Sequence, residues 1–202
     1  MNDLLMNKFT AHYGLPVPII TNYFIETDIP YFEIEDTKAG EIVIHNARGL
    51  GMANFSNNDR INLTIVNYDK FVTSLPHHFQ NGRKRCDILL SCSLNRYFIL
   101  GELKDRNPSG KVRSGAKKQL IASLRTLIAV QEISVYVNNK IVKRCCYFNK
   151  QSNSPALINA TFAFNRLPNI FPAGFKMSNP TIEAFGFEFY EYTGVQTMTL
   201  TR

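Results

Sequence analysis

The sequence predicts an α/β (α+β) protein, with a central mixed β-sheet flanked by helices, an additional N-terminal β-hairpin and further C-terminal strands. Three observations carry that expectation. Two apolar runs, CDILLSC (86–92) and YFILGEL (97–103), are joined by the short polar turn SLNR, which reads as a hairpin of largely buried strands. A helical segment, AKKQLIASLRTLIAV (116–130), follows, and then a further strand-like run, KIVKRCCYF (140–148). Finally, 202 residues with 45% hydrophobic and 19% charged side chains, without repeats or a Pro/Ser-rich linker, fit one domain spanning 1–202.

In chain order, the opening MNDLLMNKFTAHYG has a short apolar patch but neither a basic leader nor a small-residue cleavage site, so it does not read as a signal peptide. No apolar run approaches a bilayer-spanning length. A cytoplasmic protein with no membrane partner is the expectation. YFEIEDTKAGEIVIHN (31–46) reads as two β-runs around a Lys-Ala-Gly turn. Gly49, Gly51 and Asn57-Asn58-Asp59 mark loop, INLTIVNY (61–68) reads as a strand, and a short helix around 69–74 ends before Pro76. His77-His78 reads as a loop pair. In the helix over 116–130, Leu120, Leu124, Leu127 and Ile128 fall on one stripe, with Lys117, Lys118 and Arg125 off it. Between strand and helix, DRNPSGKVRSG (105–115) is polar, basic and rich in breakers, hence a mobile loop. The C-terminal part is aromatic and loop-rich. Its alternating run, AFGFEFYEY (184–192), puts Phe185, Phe187, Phe189 and Glu191 on one face and Glu188 and Tyr190 on the other.

Cys86, Cys92 and the adjacent Cys145 and Cys146 suit neither a disulfide framework nor a zinc-ligand spacing, so buried thiols are expected. Charge is uneven. Residues 83–150 hold 15 Lys or Arg against 4 Asp or Glu, while the remainder holds 8 against 12. A basic middle segment between mildly acidic ends points to a polyanionic partner.

The candidate chemistry lies in the central hairpin. Asp87 starts its first strand, and Glu102 and Lys104 end the second, on one face because they are two residues apart. Antiparallel pairing would bring the three together. Two carboxylates suit a divalent cation, normally magnesium with manganese as an alternative, and a lysine can orient a water or offset developing charge. Glu-x-Lys alone is weak, with roughly one chance occurrence expected in a chain of this length. Of the nine Glu residues, however, only Glu102 has a Lys two places on, and that one ends an apolar strand ahead of a basic helix.

CDILL…YFILGELK followed by KKQL resembles the PD-(D/E)XK (restriction-endonuclease-like) nuclease superfamily, over about residues 84–148. The resemblance implies a four-stranded mixed sheet flanked by helices and a magnesium-dependent endonuclease. It implies Asp87 and Glu102 as metal-binding acids, the Leu103 carbonyl as a further ligand, Lys104 as the catalytic lysine and Gln119 as a helix residue facing the site. Cys86 stands where the motif's proline would be. The acid that many members carry on an N-terminal helix has no clear counterpart, with Glu35, Glu41, Asp59 and Asp69 as candidates. Arg83, Lys84 and Arg85 before the first acid, and Lys111, Arg113, Lys117 and Lys118 after the Glu-x-Lys, would surround the mouth and hold phosphates without reading sequence.

The expected function is therefore metal-dependent phosphodiester hydrolysis in DNA, in preference to RNA, with defence against foreign DNA one compatible setting. The alternatives are a catalytically silent nuclease-fold module binding nucleic acid within a larger assembly, and an unrelated α/β protein with a fortuitous Glu-x-Lys. Monomer, homodimer and larger assembly stay open.

Overall fold

The computed structural model describes residues 1–19, 22–107, 109–152 and 173–202. The loop-rich stretch expected in the C-terminal part lies largely at 153–172, outside the described residues. A π-helical segment, Leu4–Phe9, runs directly into α1 (Thr10–His12). The strands β1 (Phe24–Thr27), β2 (Tyr31–Asp36), β3 (Ile42–His45), β4 (Ala53–Ser56) and β5 (Leu63–Asn67) come next. The short helices α2 (Tyr68–Thr73) and α3 (His77–Gln80) lead into the hairpin β6 (Ile88–Cys92) and β7 (Tyr97–Lys104). After the hairpin come α4 (Gly110–Ile128), α5 (Gln131–Asn138), β8 (Val142–Asn149), β9 (Phe175–Met177), α6 (Pro180–Glu183), β10 (Glu188–Thr193) and β11 (Thr197–Thr199).

The result is a mixed α/β protein with two mixed sheets. The larger has the order β1-β5-β6-β7-β8-β10-β9, and the smaller β11-β4-β2-β3. In the larger sheet β6 and β7 pair antiparallel, whereas β7–β8 and β8–β10 are parallel. The parallel step from β7 to β8 needs a crossover, which α4 and α5 supply. Every residue of β7 except Lys104 is buried, as expected for a strand covered on both faces. Alternation splits it between two cores. Phe98 and Leu100 join Leu120, Leu124 and Leu127 of α4 on the helical face. Ile99 and Leu103 join Phe32, Ile34 and Phe55 of the smaller sheet on the other. Each fully buried Leu stabilises by roughly 1.5–3 kcal/mol relative to exposure, so α4's stripe holds it firmly against the sheet.

Several local expectations are corrected. The stretch 105–115 is not all loop: α4 starts at Gly110 because Ser109 caps it, its Oγ accepting from Val112 N at 3.2 Å. The expected helix forms and ends at Ile128, but a second helix not foreseen in the sequence, α5, follows it at a bend of 108°. Among the described residues no single helix is long and apolar enough to cross a membrane. His77 and His78 lie in α3 rather than a loop. The 49–59 stretch contains β4, which the glycines and polar residues around it obscure in the sequence. The strand itself begins only at Glu188, although Phe185, Phe187 and Phe189 share the helical core and Tyr190 the other, as the alternation implied. Gly186, at φ +75°, breaks the run, so Phe185 precedes the strand although it still packs on the helical core. The 31–46 hairpin forms as expected, Glu33 opposite His45, but in the smaller sheet. All four cysteines are buried free thiols, and burial pushes those of Cys86, Cys145 and Cys146 up.

Candidate active site

The register of the larger sheet builds the site. Ile88 pairs with Gly101, and Asp87 N donates to Gly101 O at 3.1 Å, so Asp87 comes beside Glu102. Gly101 makes room here: a Cβ would stand 2.6 Å from Ile88 Cγ1, so the buried Ile88 side chain facing it would have to shift. Across the next strands Glu102 pairs with Tyr147, and Tyr147 with Glu191. A polar row, Asp87–Glu102–Tyr147–Glu191, thus runs from the residue leading into β6 across β7, β8 and β10 on the face that α4 covers.

Asp87, Glu102 and Lys104 meet as the sequence implied. Lys104 Nζ lies 2.5 Å from Glu102 Oε1 and 3.5 Å from Asp87 Oδ2. Asp87 Oδ2 also accepts from Leu103 N at 2.6 Å, which fixes the carboxylate against the end of β7. Glu102 is fully buried, at 0% exposure, and neither of its oxygens has a hydrogen-bond donor aligned with it. The ammonium beside it approaches closely but obliquely.

The electrostatics arise from that crowding. Desolvation, reinforced by the Asp87 charge and only partly relieved by Lys104, raises the Glu102 carboxyl to about 8. Desolvation also raises Asp87, against the opposing pull of Lys104 and the Leu103 N–H. Burial works to lower Lys104, but Asp87 and Glu102 together outweigh it and hold the ammonium above its usual range.

Further acids surround the pair, one of them missed in the sequence. Asp36, at the end of β2 in the smaller sheet, is raised to about 6 by desolvation and by the Asp87 charge, Lys104 opposing. Among the sequence candidates only Asp69 belongs to this neighbourhood: its charge raises Asp87 and Glu102, and its backbone N donates to Asp87 O at 3.3 Å. Glu35 pairs with His45, Glu41 with Lys70, and Asp59 accepts from Arg202 N. The smaller sheet's contribution has no signal in chain order, because Asp36 is an ordinary strand-end acid 51 residues before Asp87.

The donor set suits a hard cation and not a nitrogen- or sulfur-rich site. Among the described residues no group of three or more His, Cys, Asp or Glu side chains is gathered closely enough to hold a metal. A magnesium-like ion keeps several waters, however, and needs only one or two carboxylates. The buried Glu102 carboxylate, whose only neighbouring cation is the oblique Lys104 ammonium on Oε1, is the feature that fits such an ion, since burying a carboxylate without aligned donors is costly.

The remaining predicted residues divide. Gln119 does not touch the acids: its Nε2 donates to Arg85 O at 3.0 Å. One turn on, Ser123 Oγ accepts from Cys86 N at 2.7 Å, so α4 clamps the two residues preceding Asp87. Arg113 pairs with buried Glu191 at 2.9 Å, and Lys117 lies over the Phe189 ring at 5.1 Å. Both are turned toward β10. Arg85 is held by Asp69 at 2.5 Å and by Thr73 Oγ1 at 2.9 Å, and Arg83 lies over the Phe79 ring at 4.2 Å. Lys84, Lys111 and Lys118 are exposed. Comparison with protein-family models, with curated proteins and with solved structures finds no match to this chain.

Proposed function

We propose that the protein is a metal-dependent nuclease with a restriction-endonuclease-like core of the PD-(D/E)XK type, hydrolysing phosphodiester bonds in DNA. The observation that carries this is the buried Glu102 carboxylate, without an aligned donor, sharing one lysine with Asp87 at a strand end. The order β6, β7, α4, β8, with β8 parallel to β7, agrees with such a core.

Asp87 and Glu102 would hold Mg2+ or Mn2+, with the Leu103 carbonyl as a further ligand. When bound, the ion would polarise the phosphoryl oxygen and lower the pKa of an attacking water. Lys104 sits at the rim of the acid pair, with its side chain 23% exposed, where it can orient that water and offset charge developing on the phosphate. Asp69 beside the pair, and Asp36 across from Asp87, add negative potential that would draw a divalent cation to the site. Lys84, Lys111 and Lys118 are the cations best placed by exposure to meet a sugar–phosphate backbone.

The test is incubation of the purified protein with supercoiled plasmid, linear duplex and RNA in magnesium or manganese. Cleavage of DNA that disappears with EDTA and in Glu102→Ala and Lys104→Ala supports the reading. Wild-type protein that cuts no nucleic acid with either metal refutes it.

A further inference from the structure

Beside the acid pair lies an open cleft of about 250 Å³ lined by Asp69, Arg83, Lys84, Arg85, Gly115 and Gln119. It abuts the site: Arg85 is two residues before Asp87, and Asp69 is bonded through its backbone to Asp87 O. At about 250 Å³ the cleft lies just under the range of about 300–1,000 Å³ that encloses whole small ligands. Open to solvent on one side, it can seat one base with its phosphate outside but not a base-paired duplex. We infer that it receives a single unpaired nucleotide of a DNA strand, its base laid on the Arg83 guanidinium and its phosphate met by Lys84. This rests on the nuclease reading for the identity of the strand's destination.

Each wall has a chemistry suited to that occupant. Arg83 is set as a platform before anything binds: its Nε donates to Phe79 O at 2.8 Å and its guanidinium lies over the Phe79 ring. Unpaired bases stack on such guanidinium planes as they do on aromatic rings. Gly115 also lines the cleft, and the space beside its Cα is open, a Cβ there meeting nothing within 4 Å. Gln119 gives its amide N–H to Arg85 O, which leaves its carbonyl oxygen as an acceptor for a base edge. Asp69 does not repel a phosphate as an isolated anion would, since Arg85 neutralises it at 2.5 Å.

The test measures equilibrium binding by fluorescence anisotropy, with EDTA present so that cleavage cannot intervene. Probes are a short labelled DNA strand and its flush-ended duplex, titrated with full-length protein. The single strand should bind at least about fivefold more tightly than the duplex, base stacking being worth roughly 1–3 kcal/mol per base. Arg83→Lys, which keeps the charge but removes the plane, and Gly115→Phe, which fills the cleft, should each weaken single-strand binding by about fivefold or more. Circular dichroism checks that both variants fold. Equal affinity for the two probes, or variants within about twofold of wild type, would overturn the inference. Absence of metal-dependent cleavage with this binding intact would instead count against the nuclease reading alone.

Discussion

The Lys104 ammonium lies 2.5 Å from a Glu102 carboxylate that solvent does not reach, and the same ammonium is 3.5 Å from Asp87. One cation thus serves two anions, one of them without any aligned hydrogen-bond donor. A second, divalent cation would relieve that imbalance.

Removing the lysine should separate catalysis from binding. Lys104→Ala leaves both acids in place and deletes the group poised to stabilise developing charge. DNA cleavage should fall by about 10²-fold or more, while DNA affinity measured without metal changes little. A variant that cuts at the wild-type rate would show that Lys104 has no part in the chemistry.

Stability should depend on pH through Glu102. Its carboxyl lies near 4.5 in the unfolded chain and is raised to about 8 in the folded protein. Between those values the folded protein holds a proton that the unfolded chain has lost. The stabilising contribution is therefore complete below about 4.5 and declines as pH rises through about 8, at up to about 1.4 kcal/mol per pH unit for one proton. Denaturant titrations of metal-free protein across this range should show the decline, and Glu102→Gln should flatten it. Parallel curves for the two proteins would contradict the assignment.

Asp36 should tune the cation without being indispensable. Desolvation, helped by the Asp87 charge that reaches it from a separate sheet, raises its carboxyl to about 6. By analogy with groups just outside a metal's ligands, Asp36→Asn should weaken magnesium or manganese binding by about tenfold, with the fold unchanged by circular dichroism. Unaltered affinity would remove Asp36 from the site.

The clamp from α4 should show in stability. Ser123→Ala leaves the buried Cys86 N without its acceptor, which stands at 2.7 Å. A loss of about 1–3 kcal/mol is expected for an unsatisfied buried donor, measured by denaturant unfolding. Stability equal to wild type would mean that another acceptor replaces the hydroxyl.

Local pattern is the part of this protein that its sequence makes legible. The hairpin 86–103 and the α4 stripe are set by apolar runs and spacing, and they place Asp87, Glu102 and Lys104 together as expected. The features that escape depend on long-range pairing. Asp36 arrives from a second sheet, and the Glu102–Tyr147–Glu191 row exists only because β8 and β10 pair parallel. Basic residues are legible as charge but not as partners: Arg113 is committed to Glu191 and Lys117 to Phe189. The start of α4 at Gly110 is hidden because its capping Ser109 is surrounded by breakers.

The central claim is that Asp87 and Glu102 form a divalent-cation site, and calorimetric titration with Mn2+ tests it most directly. Wild-type protein should bind about one ion, more tightly as pH rises toward 8 because the Glu102 proton must leave, and Asp87→Ala should bind none at that site. No heat of binding in the wild type, or identical binding in the variant, would contradict it.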